Sequence, residues 1–433
     1  MFKFVQTKIN NALLNKKCVN IKLRLKKISD QPSKDNNGDS GLKKFDEIPG
    51  PKSYPLIGTL YKYLPFIGDY DAEALDKNAW LNWKRYGTLV REEPGVNVLH
   101  VFEPDDIEAV FRQDHRYSAR RSHVAMQHYR VNKPHLYNTG GLLSTNGPDW
   151  WRLRSTFQKN FTGPESVKSH VKTTDCVVKE FVHWIKEKKL SAHEDFLFYL
   201  NRLNLEIIGV VAFNERFQSF SQSEQNSNSR SSKIIAAAFG SNSGIMKLDK
   251  GFIWKFFKTP LYKKLVESQD YLGKISIEIL LKRIKFFEEN KTDSDQSLLA
   301  SFLLQPNVDI KDIVGMMVDI LMAAIDTTVV VTQNMLASRL PLFVKDPLAF
   351  KPERWLRASS NYENLHPFLS LPFGFGPRSC IARRLAEQNI CITLIRVIRE
   401  FEIKWNGGEL GVRTYLINKP DQPVALSFIE RSM

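Results

Sequence analysis

The chain has few cysteines, no long uncharged apolar run and, over its first 29 residues, no acidic side chain. The spacing of its four cysteines fits neither a disulfide framework nor a zinc site. They are Cys18, Cys176, Cys380 and Cys391. This usage fits a reducing compartment. Because no stretch of 18 uncharged apolar residues occurs, the sequence predicts no membrane-spanning helix.

Positive charge is in excess, with 62 basic against 47 acidic residues and a net charge of +15. Residues 1–29 hold eight of the basic side chains, interleaved with apolar ones. Such a segment is typical either of a nucleic-acid-binding arm or of a mitochondrial targeting leader. No nucleic-acid recognition motif accompanies it, so we predict a leader and linker over residues 1–47 and no nucleic-acid partner.

The most informative segment is a decapeptide around Cys380, where one cysteine follows a glycine-rich turn and precedes an apolar helix. Gly374 and Gly376 lack a Cβ, so the backbone there can pass close to a flat ligand. Phe373 could pack on the face of that ligand, and Arg378 could pair with an acidic group on its rim. A helix N-terminus predicts a lowered pKa for the Cys380 thiol. A buried structural cysteine is the alternative.

Two further motifs lie in predicted helices. In the first, Asp149 is the predicted N-cap, and Trp150 falls one turn before Arg154, so an indole and a guanidinium can jointly hold a carboxylate. A surface stack of the two side chains is the alternative. In the second, Asp326 and Thr327 interrupt the apolar pattern of a helix. Burying such a carboxylate is costly unless it is hydrogen-bonded or linked to water, so a functional site or a polar C-terminal turn is indicated.

The decapeptide resembles the haem-binding loop of the cytochrome P450 family, F-x-x-G-x-R-x-C-x-G. Phe373, Gly376, Arg378 and Cys380 match this pattern, and Ala382 stands in place of the last glycine. The resemblance implies a haem b cofactor, with the Cys380 thiolate as the axial ligand of its iron.

The other motifs are similar to the W-x-x-x-R and A-G-x-D-T-T elements of the same family. By resemblance, Trp150 and Arg154 hold the haem propionates, Thr327 carries a proton-relay hydroxyl and Asp326 supplies its protons. The implied reaction is hydroxylation of an apolar substrate with dioxygen and two electrons. Residues 48–60 and 334–341 resemble the insect mitochondrial branch of the family, which implies a steroid of ecdysteroid biosynthesis.

The resemblance also implies a mainly α fold with a small β portion, in one domain over residues 48–433. The sequence pattern predicts a hairpin within 88–102 and a surface loop at 219–233. It predicts helices at 105–112, 150–160, 167–188, 197–211, 261–287, 310–328 and 381–398.

Two surface features suggest partners. Four arginines of the last helix are predicted to form one basic face, either merely solvated or docking an acidic ferredoxin; they are Arg383, Arg384, Arg396 and Arg399. The segment Phe252–Phe257 is either the edge of a core helix with snorkelling lysines or a patch that contacts a membrane surface. With the leader, this implies a mitochondrial protein, peripheral to the inner membrane on the matrix side.

One element of the family is missing. No Glu-x-x-Arg occurs anywhere in the chain, and only 23 residues, 329–351, separate Thr328 from Pro352. The helical pattern passes into the β-branched run after Thr328 without a Gly, Pro, Asn or Asp before Asn334, which is unusual for a natural boundary. We therefore predict an internal deletion near residues 328–329.

The deletion has predicted consequences. Arg354, in a Pro-Glu-Arg-Trp segment that resembles another family element, has lost both of its expected ionic partners, and an unpaired buried arginine is strongly destabilising. We expect weak haem retention and little turnover. The alternative to an active monooxygenase is a catalytically inert isoform, or an incomplete gene model.

Overall fold

The computed structural model describes residues 44–190, 194–249, 253–289, 295–327, 342–347, 349 and 351–432. Over this part of the chain the protein is mainly helical, with three two-stranded antiparallel sheets. The prediction of a mainly α fold with a small β portion is confirmed.

The helices follow the chain in twelve α segments among the described residues. They are α1 (Leu75–Tyr86), α2 (Pro104–Arg112), α3 (Val124–Val131), α4 (Gly147–Thr162), α5 (Pro164–Ser169), α6 (Val171–Lys188), α7 (Phe196–Phe213), α8 (Arg230–Asp249), α9 (Pro260–Glu289), α10 (Leu298–Leu303), α11 (Ile310–Thr327) and α12 (Arg383–Glu400).

The strands pair as short antiparallel ribbons. Strand β1 (Leu89–Glu92) pairs with β2 (Val98–Val101), which confirms the predicted hairpin. Near the carboxyl end, β3 (Phe401–Trp405) pairs with β6 (Leu426–Glu430), and β4 (Val412–Thr414) pairs with β5 (Asn418–Pro420).

Helix α11 lies at the centre of the fold and packs against α7, α8 and α9. Its residues Ile313, Met317, Leu321 and Ile325 recur every four positions and have no exposed surface. Because neighbouring side chains on the other faces are buried as well, α11 is apolar nearly all round, as expected of a core helix. Helix α12 packs on α6 and α4 and brings the preceding loop against α4.

Helix α7 is long and apolar enough to cross a membrane by length and composition alone. Its most apolar window is 72% buried within the protein, however. Buried polar side chains such as Arg202 and Glu206 bind neighbouring loops from this helix. Helix α7 is therefore a core helix, and no other candidate span occurs in the described part of the chain.

The predicted surface loop at residues 219–233 is more ordered than its composition suggests. Ser219 is fully buried and donates its N–H to the Glu206 carboxylate at 2.6 Å. Glu224 accepts the N–H of Ser231 at 2.8 Å in the first turn of α8, which begins at Arg230. The loop prediction is confirmed up to residue 229, apart from a short 3-10 turn at Gln222–Gln225, but it was wrong for residues 230–233, which belong to α8. It was also wrong in placing Ser219 at the surface, because hydrogen bonds to Glu206 and Arg202 hold this residue inside the protein.

Arg354 also differs from its prediction. It is 5% exposed, but its guanidinium lies 3.2 Å from the Glu363 carboxylate. It donates in addition to four backbone carbonyls, those of Lys345, Asp346, Ala349 and Lys351. The expectation of an unpaired buried charge was wrong, because a nearby loop supplies acceptors that the family motif does not include.

Candidate active site

A cavity of about 460 Å³ lies between α4, α11 and the loop that precedes α12. Most of the side chains that the sequence singled out line it together: Trp150, Arg154, Thr327, Phe373, Arg378 and Cys380. The side chain of Asp326 lies outside the described part of the structure, although its backbone belongs to α11. Three segments distant in sequence thus converge on one cavity.

The loop around Cys380 has the tight turn that its glycines predict. The Cys380 N–H donates to the Phe373 carbonyl at 2.8 Å, which closes the loop on itself. Gly374 and Gly376 have φ angles of 70° and 71°, in the left-handed region that favours glycine. The turn thereby directs the thiol into the cavity.

The thiol pKa differs from expectation. The Cys380 side chain is accessible from the cavity but otherwise enclosed by protein, and this burial raises its pKa. The backbone N–H of Ala382 and the charges of Arg154 and Arg383 oppose the rise. The predicted lowering was wrong, because α12 begins only at Arg383 and the sulfur lies three residues before its first turn.

Trp150 and the arginines form the cationic wall of the cavity. Trp150 is 1% exposed, and the Arg378 guanidinium carbon lies 3.9 Å from the centroid of its ring. Arg154 donates to the Ser379 carbonyl at 2.8 Å, so α4 is tied to the cysteine loop. Asp149 is in the first turn of α4 but is not its N-cap, since the helix begins at Gly147 after Asn146.

The charges of this wall repel one another. Desolvation first, and then the charges of Arg120 and Arg154 against that of Asp114, lower the pKa of Arg378 to about 10. Desolvation also lowers the pKa values of Arg120 and Arg154. A bound dianion would relieve this repulsion. The thiol and the cationic cluster together therefore fit haem b, whose iron Cys380 would hold and whose propionates the arginines would hold.

Thr327 ends α11 at the edge of the cavity. Its Oγ1 donates to the carbonyl of Ala323, one turn earlier in the same helix. The hydroxyl is exposed and near the helix end, so it can exchange this backbone bond for one to a ligand or to water.

Sequence reasoning missed two charged residues of the cavity, Arg120 and Asp319. The only local feature that marks Arg120 in the sequence is the adjacent Arg121. No motif around it predicts that it lies in a cavity. Asp319 had a clearer signal, because it is a charged residue inside the apolar pattern of α11.

The four arginines of α12 do not form one basic face. Arg396 makes a two-point ion pair with Asp175 of α6, at 2.6 and 2.8 Å. Arg384 donates to the Thr162 carbonyl at the end of α4, and Arg383 bonds Glu387 at 2.8 Å. The prediction of a single face was wrong, since a helix turns 100° per residue and spreads these positions round its axis.

Comparison with known proteins identifies the family. The cytochrome P450 family model matches residues 48–340 and 338–414. Cytochrome P450 302a1, mitochondrial, of Drosophila melanogaster is 35% identical over 475 residues, covering 89% of this chain and 95% of the relative. Ecdysone 20-monooxygenase of the same organism is 22% identical and covers 89% of this chain and 88% of the relative.

The structural comparison agrees. The crystal structure of the cytochrome P450DA heme domain superimposes with a TM-score of 0.68 at 16% identity, covering 89% of this chain and 98% of that one. Family membership brings with it a haem b cofactor and monooxygenase chemistry. The chain belongs to the cytochrome P450 family.

Proposed function

We propose that the chain is a mitochondrial monooxygenase that hydroxylates an apolar steroid of ecdysteroid biosynthesis, with electrons from a ferredoxin. The observation that carries this proposal is the single cavity in which Cys380, the cationic wall and Thr327 meet. The names of the two Drosophila relatives, one mitochondrial and one an ecdysone monooxygenase, support the compartment and the substrate class.

The residues have distinct proposed roles. Haem bound on Cys380 supplies the activation of dioxygen for insertion into a C–H bond. Trp150, Arg154 and Arg378 orient the cofactor by its acidic rim. Thr327 holds a proton at Oγ1 beside the reacting centre, and Asp326 replaces that proton from outside.

The test is isotope incorporation. The hemin-loaded chain is incubated with a ferredoxin, its reductase, NADPH, a sterol and isotope-labelled dioxygen, and the products are analysed by mass spectrometry. We expect one labelled oxygen atom in the product, and a large loss of that product with Thr327→Val. Unlabelled product, or labelled product that persists in Cys380→Ser, would contradict the proposal.

The proposed ferredoxin site comprises the exposed cations of α12, Arg383, Arg384 and Arg399. Charge reversal at these positions should slow association with an acidic ferredoxin, most strongly at low ionic strength. Reversal of the exposed Lys285 on α9 is the matched control and should have little effect. Surface plasmon resonance at two salt concentrations measures both rates, and equal slowing by both changes would exclude a site on α12.

The proposed membrane contact keeps only the last part of the segment Phe252–Phe257. Phe256 and Phe257 are 74% and 71% exposed, beside the exposed Lys255 and Lys258. Trp254 instead belongs to the core, with its indole N–H donating to the Leu248 carbonyl at 2.9 Å. Phe252 lies outside the described residues. The exposed pair suits a peripheral contact with a lipid surface.

The second candidate function is that of a catalytically inert protein that lacks an internal segment. The alignment with cytochrome P450 302a1 spans 475 positions, but 89% of 433 residues is only about 385, so about 90 positions have no counterpart here. The family model also matches in two pieces that meet at 338–340, about ten residues beyond the predicted junction. We propose an internal deletion in this stretch, which itself lies outside the described residues.

A further inference from the structure

The last described turns of α11 have a cavity side and a buried side. Ala323, Ala324 and Thr327 line the cavity. Met322 and Ile325 are 1% and 0% exposed. Because a helix turns 100° per residue, these two residues lie on the side opposite the first three. The position of Thr327 Oγ1 in the cavity therefore depends on how the buried side of the same turns is held.

Two buried asparagines hold this side of α11 through its main chain. Asn204 of α7 donates from Nδ2 to the Ile325 carbonyl at 3.2 Å, and Asn242 of α8 donates from Nδ2 to the Met322 carbonyl at 3.3 Å. The asparagines are 9% and 3% exposed, and neither of these two described side chains lines the cavity. A buried amide needs a hydrogen-bond partner, and the main chain of α11 supplies one to each.

A bond to a helix carbonyl fixes the backbone itself. A carbonyl oxygen has two lone pairs, so it can accept a side-chain amide in addition to the N–H of its own helix. The Met322 side chain is held as well, since Gln269 Nε2 lies 3.6 Å from its Sδ and donates to Ser241 of α8 at 2.9 Å. Helices α7, α8 and α9 thus all hold the turn that leads to Thr327.

The bonds that hold α11 change in kind along its length. In its first turn Asp312 pairs with Arg152, and at its middle Asp319 pairs with Arg130 at 2.8 Å. Both of these bonds join opposite charges, whereas the two asparagine bonds are neutral. A cation beside Thr327 would change the proton affinity of neighbouring groups. A neutral amide holds the turn without adding a charge next to the proposed proton relay.

We propose that Asn204 and Asn242 are positioning residues, whose amides fix the last turns of α11 so that Thr327 presents Oγ1 to the cavity. This inference rests on the proposed function and names the residues that hold its proton-relay hydroxyl in place. In coupled turnover, dioxygen takes up two electrons and two protons, and one oxygen atom enters the product while the other becomes water. With a misplaced hydroxyl, the same two electrons and two protons leave with both oxygen atoms as hydrogen peroxide.

The first measurement is amide hydrogen exchange, followed by mass spectrometry on the hemin-loaded chain, and it needs no turnover. Asn204→Leu combined with Asn242→Leu should speed exchange in the peptide that contains residues 322–327 by roughly tenfold. Each single variant should speed it by roughly threefold, which covers the case that the double variant does not fold. Asn78→Leu is the matched control, because Asn78 of α1 is 5% exposed and its Nδ2 donates to the Asp71 carbonyl at 2.7 Å. Wild-type exchange of this peptide in the asparagine variants of α7 and α8 would overturn the inference.

The second measurement is the ratio of hydroxylated sterol to hydrogen peroxide at equal hemin content, with a ferredoxin, its reductase and NADPH. Asn204→Leu and Asn242→Leu should each lower this ratio by roughly three- to tenfold, and Asn78→Leu should leave it unchanged. A loss of stability alone would lower both products together, so the ratio separates positioning from a merely structural role.

Thr327→Val distinguishes failure of this inference from failure of the proposed function. The inference is overturned if Thr327→Val lowers the ratio while the Asn204 and Asn242 variants keep the wild-type value. If Thr327→Val also keeps the wild-type ratio, or if the wild type forms no hydroxylated sterol, the proposed function itself is contradicted and the positioning role falls with it.

Discussion

Arg354 carries a residue-scale prediction about stability. Its five acceptors, Glu363 and four backbone carbonyls, would all lose a donor in Arg354→Met. We expect a loss of about 3 kcal/mol or more in the free energy of unfolding, measured by urea titration. Lys351→Met is the control, since its pair with Asp346 is exposed and worth about 1 kcal/mol or less. Equal losses would show that Glu363 and the carbonyls contribute little.

His123 carries a second residue-scale prediction, in the pH dependence of stability. Desolvation, assisted by the charges of Arg120 and Arg130, holds its pKa down to about 3. Below about pH 6.5 this histidine is therefore protonated in the unfolded chain but stays neutral in the folded chain. The free energy of unfolding consequently falls as the pH falls.

The measurement is urea unfolding between pH 7 and pH 5. His123→Asn tolerates the left-handed φ of 63° at this position and removes the titrating ring. Its stability should fall with decreasing pH less steeply than that of the wild type, by up to about 1.4 kcal/mol per pH unit. Parallel pH profiles for the two proteins would contradict a neutral buried histidine.

At the scale of elements, α12 has an apolar stripe without a covering partner in the described structure. Leu394, Ile395 and Ile398 are 50%, 66% and 51% exposed, whereas Val397 of the same helix is 5% exposed. Ile395→Lys should change the free energy of unfolding by less than about 0.5 kcal/mol. Val397→Lys should cost several times more, because it buries a charge. Equal effects, measured by urea titration, would mean that the stripe is covered in solution.

Elements were predictable from sequence where one periodic pattern persisted. The residues of α9 and α11 repeat apolar positions over many turns, and both helices lie within a residue or two of their predicted bounds. Helix α8 was missed, since its small and polar residues such as Gly240 and Ser241 pack without an apolar stripe. Trp150 and Arg154 were predictable as site residues from their spacing in one helix. Arg120 and Asp319 were not, because only the tertiary fold brings them to the same cavity.

At the scale of the whole molecule, we predict that the proposed deletion limits haem retention. A chimera that receives, at the proposed junction, the corresponding segment of cytochrome P450 302a1 should retain more hemin through gel filtration than the chain as it stands. The physical reason is that Thr327 lines the cavity, so residues restored after it in the chain would help to shield the cofactor from water. Equal retention by the two proteins would show that this chain is already complete enough to enclose its cofactor.

We expect Cys380 to bind haem iron through its sulfur, and every other proposed role in the cavity depends on this bond. The most direct measurement is the carbon monoxide difference spectrum of the reduced, hemin-loaded protein, compared with that of Cys380→Ser. We expect a thiolate-type Soret band, weak because of the proposed deletion, that disappears in the serine variant while far-ultraviolet circular dichroism stays unchanged. The same band in both proteins, or no thiolate-type band in the wild type, would contradict it.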